Sequence, residues 1–500
     1  MTKDSARKAL PFLHISPTSC LRLAQVLALM WGLGTVGTAQ VSREMPNAPS
    51  AAYSTTTAGQ SVQAGSQSPF FGSVPVGKPS NEVLQLTFAN AIDRGLQQNL
   101  GLLLASDNTL YARGQRWREL SDLLPNLSAS ITEDVQTTSL AALGFRLPSF
   151  PTVIGPFNYL DARANLSQSL FNWTAIQRER AATQNLRAAH ANYRDARELV
   201  VLAVGNAYLQ ALAGAARVDT AEAQVRTAQA LYEKASDQQK AGVTPAIDTL
   251  RAQVQLQTRQ QQLIVARNNF AKQKLGLARI IGLPPGQEFA LAEKAPYQPL
   301  ATSSIEENLK RAYASRPDYL ALEARVKAAE LSRKAASAEH LPSLGVIANY
   351  GDIGISPFSS NGTYQVGGTL NIPIFAGGRT HSEVLEAEAA LRQQRAQLDN
   401  LRGQIDYEVR TAMLDLNAAA EQVQVAQSSV QLAQQTLTQA QDRFSAGVTD
   451  NLEIIQAQEA MAAANENYIA SLYAHNVAKV ELARSIGYAE QGVKDYLRGK

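Results

Sequence analysis

Five histidines, one cysteine, a glycine-containing loop and three carboxylates at helix starts are the residues of this chain whose types could do chemistry. His190, His340, His381 and His475 fall in segments that read as helical, and none stands at the spacing of paired metal ligands, so each is expected on a surface or wall. Cys20 is alone, which excludes a disulfide framework and a four-ligand zinc site. Gly72-Ser-Val-Pro-Val-Gly-Lys78-Pro79 imitates a phosphate loop. Pro79, however, stands where a Ser or Thr must reach magnesium, and neither a strand nor a helix is expected around it. There is no Gly-x-Ser-x-Gly and no His-Glu-x-x-His, which counts against an exported hydrolase. Asp248, Asp450 and Glu453 fall in the first turns of predicted helices, where the helix dipole favours a carboxylate by about 0.3–1 kcal/mol, with no chemistry required. No catalytic constellation emerges, and neither a cofactor nor a resident metal is expected.

The elements that carry these residues are exported. Lys3, Arg7, Lys8 and Arg22 precede an apolar stretch from Leu23 to Val36, and Gly37-Thr38-Ala39 supplies small residues for cleavage before Gln40. Residues 1–39 read as a signal peptide; a single-pass anchor is the alternative, against which the shortness of the run argues. Removing the leader leaves equal numbers of basic and acidic residues, so the mature chain lacks the basic footprint that nucleic-acid binding needs. Mean hydropathy is −0.18, and past the leader no run approaches the roughly 20 apolar residues of a membrane-spanning helix. Residues 40–80, rich in Ser, Thr, Gly, Gln, Ala and Pro, are expected to form a flexible tail.

From about residue 81 the chain repeats itself. Ala241-Gly-Val-Thr244 returns as Ala446-Gly-Val-Thr449, and Leu277-Ala-Arg279 with Ile281-Gly282 returns as Leu482-Ala-Arg484 with Ile486-Gly487, at a constant shift. Upstream, Leu124-Pro125-Asn-Leu127 matches Leu341-Pro342-Ser-Leu344 at a larger shift, so the first copy must hold extra residues between these two landmarks. The copies span 81–290 and 300–490 and together form one structural unit.

Each copy reads as a helix, two strands and a pair of long helices. Apolar or small residues recur every seven positions: Leu186, Tyr193, Val200 and Ala207, then Val218, Val225 and Tyr232. The second copy has Leu391, Leu398, Ile405 and Ala412, then Val423, Val430, Leu437 and Phe444. A sustained seven-residue period predicts coiled-coil packing. Gly242 and Gly447 suit the left-handed residue after a helix, Thr244 and Thr449 are placed to cap the next one, and Pro245 fits its first position. Between these helices, Leu127, Ala129 and Ile131; Leu160, Ala162, Ala164 and Leu166; Leu344, Val346, Ala348 and Tyr350; and Tyr364, Val366, Gly368, Leu370 and Ile372 alternate at period two, in segments of about ten residues. Tyr159, Phe171, Trp173, Tyr350 and Phe375 are expected near strand ends, as in an interfacial aromatic girdle. Four such strands cannot close a membrane barrel, whose smallest form has eight, so two, three or four chains are required.

These residues resemble the TolC-like outer-membrane efflux proteins over about residues 81–490. The resemblance is carried by Leu86-Thr-Phe-Ala-Asn-Ala-Ile92, Leu124-Pro-Asn-Leu127, Leu166-Ser-Gln-Ser-Leu-Phe171, Arg316-Pro-Asp318, Leu341-Pro-Ser-Leu344, Ile372-Pro-Ile-Phe-Ala-Gly-Gly-Arg379 and the paired Ala-Gly-Val-Thr turns. It implies an α+β membrane duct built on a duplicated helix, β-hairpin and long helical hairpin. It further implies a homotrimer in which a twelve-stranded outer-membrane barrel continues into a twelve-helix periplasmic tunnel. The implied partners are a periplasmic adaptor and an inner-membrane pump, with the turns Gly242-Val243-Thr244 and Gly447-Val448-Thr449 as adaptor-docking tips. Family members carry aspartates facing the tunnel axis near its closed end. Glu453 matches the first such position and Gln456 the second, so a single acidic constriction is expected around Glu453, with Asp450 and Asp248 beside it. The competing reading, a structural coiled-coil protein of the envelope without a pore, accounts for the heptads and leaves the four amphipathic strands unexplained.

Overall fold

The computed structural model describes residues 68–142, 144, 151–293, 297–300, 304–449 and 451–492; the leader, residues 40–67 and Asp450 lie outside them. The first copy comprises β1 (Leu84–Leu86), α1 (Phe88–Gln98), α2 (Leu100–Ser121), β2 (Asn126–Ser139), β3 (Val153–Phe171), α3 (Trp173–Lys240), α4 (Ala246–Ile280) and β4 (Phe289–Leu291). The second comprises α5 (Ile305–Ser315), α6 (Pro317–Ser337), β5 (Ser343–Gly354), β6 (Ser360–Asn371), α7 (Arg379–Ser445) and α8 (Asn451–Ser485).

The expected leading helix of each copy is broken in two. In the first copy the break is at Asn99, which accepts a hydrogen bond from the Gly101 amide at 2.9 Å and so starts α2 as it ends α1. In the second, Pro317 begins α6 directly after α5 ends. Thr87 caps α1 through the Asn90 amide (3.2 Å), and Asn172 caps α3 through that of Ala175 (3.1 Å). At 1.5 Å per residue, the 68 residues of α3 and 67 of α7 each reach about 100 Å.

Three buried clusters hold these elements together. The largest joins Leu86, Phe88 and Ile92 to Val200, Val204 and Tyr208 of α3, the end of α4 and Val480 of α8. Within it the Phe88 and Tyr208 rings meet edge to face at 5.3 Å, and the Tyr208 hydroxyl donates to the Leu86 carbonyl at 3.1 Å. β1 and β4 pair in parallel, Leu84 opposite Phe289 and Leu86 opposite Leu291, so the two ends of the first copy are tied to each other. A second cluster packs Ala312 and Tyr319 against Leu398, Ile405, Val409 and Leu416 of α7 and against Leu482 of α8. The third lies beneath the helix turns.

Part of the segment expected to be a flexible tail is fixed. Pro69–Phe71 form a 3-10 turn and Phe70 packs on the first cluster. The Val74 amide donates to the Gln98 carbonyl at 2.9 Å, and the Asn99 side chain to the Phe70 carbonyl at 2.7 Å. Gly101 admits this strap, since a β-carbon there would lie 2.4 Å from the Phe70 ring. The near-phosphate-loop sequence therefore belongs to a strap.

The heptad seam of α7 lies where the sequence places it at seven of eight positions: Leu391, Leu398, Ile405, Ala412, Val423, Leu437 and Phe444 are buried, and Val430 is half-buried. In α3 the first series keeps its phase: Val200, Gly214, Ala221, Ala228 and Ala235 along it are buried, and Leu186, Tyr193 and Ala207 are half-buried. The second series does not, since Val218, Val225 and Tyr232 are only half-buried. The Thr244 cap also fails. α4 starts after Pro245, which occupies the cap position itself, and the Thr244 hydroxyl is buried without a hydrogen-bond partner.

Candidate functional site

The four long strands form one antiparallel sheet in the order β2-β3-β5-β6. Its register brings the four alternating series onto a single face. Leu127 opposes Leu166 and Ile131 opposes Ala162; Ala164 opposes Tyr350 and Leu166 opposes Ala348; Tyr350 opposes Tyr364 and Leu344 opposes Leu370. The other face carries Ser128, Ser130, Thr132, Asn165, Arg163, Asn349, Gln365 and Thr363. Leu127, Ile131, Tyr364 and Val366 are each more than 70% exposed, so the apolar side is open along the two edge strands, whereas Leu160 of β3 on the same side is buried. β2 and β6 are both edge strands without a further partner among the described residues.

The strands are longer than the expected ten residues, and β3 runs for 19. Tyr159 and Tyr350 consequently lie inside strands instead of near their ends, while Phe171, Trp173 and Phe375 remain at the helix-proximal end. The extra residues of the first copy fall in its hairpin. β2 and β3 are joined by residues 140–152, whereas β5 and β6 are joined by 355–359, and β3 extends past β5 to pair with β2 alone.

The long helices end in two matching turns. The Val243 amide donates to the Gln238 carbonyl and that of Gly242 to Gln239, both at 2.9 Å; Val448 donates to Arg443 (3.0 Å) and Gly447 to Phe444 (3.1 Å). Gly242 and Gly447 both have φ of 72°, the left-handed conformation this motif demands. The motif commonly adds an apolar contact between the residue after the glycine and the last helical turn. Here that turn offers Gln238 and Arg443, and Val243 and Val448 stand 71% and 68% exposed.

Behind the tips, Leu231, Ala235, Ala252, Leu437, Phe444 and Ile454 lock the four helices together. Asp248 is buried there, 3.5 Å from Arg251, and its carbonyl accepts from the wholly buried Asn451 side chain at 3.2 Å. Glu453 pairs with Arg443 of α7 at 3.5 Å. Asp450, the third expected carboxylate, is outside the described residues.

Arg316, only 2% exposed, anchors the middle of the molecule: it donates to Asp318 (2.6 and 3.1 Å), to Glu408 of α7 (2.6 Å) and to the Ser485 carbonyl. The fully buried arginine costs little only because both carboxylates surround it, and Asp318 is held below the usual carboxylate range by the same guanidinium, against the opposing effect of burial. His475 overturns its surface assignment. It is fully buried, with neither ring nitrogen hydrogen-bonded, against the Tyr297 ring at 5.2 Å. Burial and the nearby Lys479 push it down to about 4, and burial pushes Lys479 down to about 8. His340 lies in a 3-10 turn, not a helix. Among the described residues no cluster of three or more His, Cys, Asp or Glu side chains could hold a metal.

Two further apolar stripes escaped the sequence reading. Leu385, Tyr407, Leu414, Val425 and Leu432 of α7 are exposed at spacings built from seven and eleven, which return to one side of a helix, opposite the buried seam. Ile247, Leu250, Val254, Ile264 and Leu275 make a comparable exposed stripe on α4.

Comparison with known proteins adds to this geometry. The profile described as outer membrane efflux protein matches residues 92–283 and again 308–488. The alkaline protease secretion protein AprF of Pseudomonas aeruginosa is 25% identical over 311 residues, 60% of this chain and 64% of that protein. The outer membrane protein TolC of Vibrio cholerae is 23% identical over 351 residues, 68% of this chain and 80% of that one. Thus the chain spans a little under two thirds of AprF and four fifths of TolC. Among solved structures, VceC from Vibrio cholerae superposes with a TM-score of 0.69 at 21% identity, covering 80% of this chain and 96% of its own. The Campylobacter jejuni CmeC outer membrane channel does so with a TM-score of 0.70 at 18% identity, covering 91% and 98%. At these identities the structures establish a shared fold.

Proposed function

This chain belongs to the outer membrane efflux protein family, whose members are channels and not enzymes, and from that premise we infer that it is one protomer of a trimeric outer-membrane duct. The observation that carries the inference is the four-stranded sheet with one apolar face, one polar face and two unpaired edges. In hydrocarbon an unpaired strand edge leaves backbone groups without partners, so β2 of one copy must meet β6 of the next, and three copies give twelve strands. The helices support the same ring. The exposed stripes on α4 and α7 differ in sequence, so pairing them between neighbours is a head-to-tail contact, the kind that closes a ring by rotation.

In this assembly the polar sheet face lines a lumen and the long helices extend it into the periplasm as a tunnel. Substrates pass outward through it from a periplasmic adaptor and an inner-membrane pump. Val243 and Val448, exposed apolar residues on rigid turns, are the adaptor-docking points. Glu453 forms the single acidic constriction near the closed end, its field reduced by Arg443, while Asp248 serves the joint between the two hairpins. Native mass spectrometry of the detergent-extracted protein tests the assembly. Three copies are expected, and a stable monomer overturns the duct.

A further inference from the structure

Arg259 projects from α4 into the space between the four long helices and is 7% exposed. It lies between two cavities, one of about 350 Å³ against Leu437, Gln458 and Met461 and one of about 600 Å³ against Val265, Ala462 and Ile469; Thr220 and Gln224 line both. Its hydrogen bonds go to neutral amides. Nη1 donates to Gln262 Oε1 at 2.9 Å, and Gln255, with its amide oxygen turned inward, accepts from Nη2 at 2.9 Å and Nε at 3.1 Å. Among the described residues no carboxylate stands within 4 Å of the guanidinium, in contrast to Arg316, which has two. Burial lowers its proton affinity, and Glu459 offsets this only through its more distant charge. Five N–H groups and a full positive charge are thus held in a low-dielectric space by two residues that neutralise none of it.

We propose that Arg259 and its flanking cavities form a binding site for a small amphipathic carboxylate, whose charged end pairs with the guanidinium and whose aliphatic body lies against Leu437 and Met461. Acidic groups at the rims constrain the pose. Asp219 borders the first cavity, and Glu466, paired with Arg217 at 2.7 Å, borders the second, so an anion finds its complement only at the centre. A guanidinium binds a carboxylate through two parallel N–H donors, and the two cavities fall in the range of small-molecule sites. Because the walls come from both hairpins, α3 with α4 and α7 with α8, an occupant braces one against the other. The site does not depend on the duct reading.

Calorimetric titration of the full-length protein in a non-ionic detergent, corrected against empty micelles, tests it with hexanoate, acetate, hexanol and chloride. Saturable hexanoate binding at one per chain is expected, with acetate at least tenfold weaker and neither hexanol nor chloride bound. Arg259→Gln should weaken hexanoate at least tenfold, and Met461→Trp, which fills the apolar wall and leaves the guanidinium, should do the same. Hexanol or chloride binding as well as hexanoate overturns the proposal, as does unchanged affinity in Arg259→Gln. If Arg259→Gln fails to fold, unchanged affinity in Met461→Trp overturns it alone.

Discussion

The two longest helices are duplicates of nearly equal length that meet opposite surroundings. α3 buries 23 residues and is covered nearly continuously from Val200 to Gly214, because α1, α2, α4, α6 and α8 all pack on it. α7 buries 13, nearly all in one stripe, and carries a second apolar stripe that no described residue covers. Duplication supplied the same helix twice; one copy became the protomer's axis and the other its flank. The size of the seam residues follows. The axis uses alanine where neighbours press from several sides, and the flank uses Leu, Ile and Val where one partner helix must be held.

The sharpest way to break this comparison is to place a charge on each helix. Val204→Asp buries a carboxylate in the first cluster with no partner, a loss expected to exceed about 4 kcal/mol and to leave no folded protein on extraction. Leu414→Asp, on the exposed stripe of α7, should leave folded monomers that fail to assemble, as native gels and circular dichroism would show. Equal loss of fold in both would erase the distinction between axis and flank.

A smaller effect concerns the turns that end the two helices. Gly447→Val keeps open space around the side chain but forces a β-branched residue into the left-handed region, at about 1–2 kcal/mol. Efflux should be lost while trimers persist; normal efflux by that variant would remove the second tip from docking. Seam substitutions should then show opposite size dependence. Leu398→Ala in α7 should cost about 2–5 kcal/mol by leaving a cavity, whereas Ala228→Leu in α3 should cost about 1–3 kcal/mol by overpacking, both read as shifts in denaturation midpoint.

Much of this was legible in the sequence, and its limits have physical causes. Period two at four segments identified the strands and even the shared face, because alternation survives whatever the partner is. Leu391 through Phe444 gave the α7 seam, since large residues there contrast with polar neighbours. In α3 the series through Val200 continues as Ala221, Ala228 and Ala235, and the sequence reading moves to Val218 instead because alanine is tolerated on every side of a helix and marks none. His475 was assigned to a surface because a lone histidine on a helix says nothing about which side is covered. Only the fold brings Tyr297 and the rest of the packing over it. The tail was read as loose from composition, whereas Phe70 against Gly101 is a contact between positions 31 residues apart, which no local pattern encodes.

His475 and Lys479 sharpen the comparison on α8, the helix shared by axis and flank. The folded-state value of His475, about 4, lies below its ordinary 6.5, so the native protein binds fewer protons than the unfolded chain between these limits. Stability from this residue is therefore intact above pH 6.5 and falls as pH drops toward 4, by at most about 3 kcal/mol. His475→Leu should flatten the thermal midpoint over that window; an unchanged slope would place the acid sensitivity elsewhere. Smallest of all is the effect expected at the proposed constriction. With Arg443 beside it, Glu453→Ala should shift cation selectivity in single-channel recordings only a little, and Arg443→Gln should raise that selectivity. No change in either would leave Glu453 as a first-turn charge alone.

The unequal hairpins have one more consequence. Along its length a trimer of this chain is close to sixfold, because each protomer contributes two similar halves. At the outer rim the β2–β3 arm overshoots its neighbour and is joined by residues 140–152, while β5 and β6 turn back through 355–359. In the proposed trimer three long β2–β3 arms would alternate with three short β5–β6 arms, threefold symmetry at the end of a nearly sixfold tube. Anything approaching that assembly from outside would meet the far ends of β2 and β3 first, so sequence variation under that pressure should collect beside Ser139 and Val153.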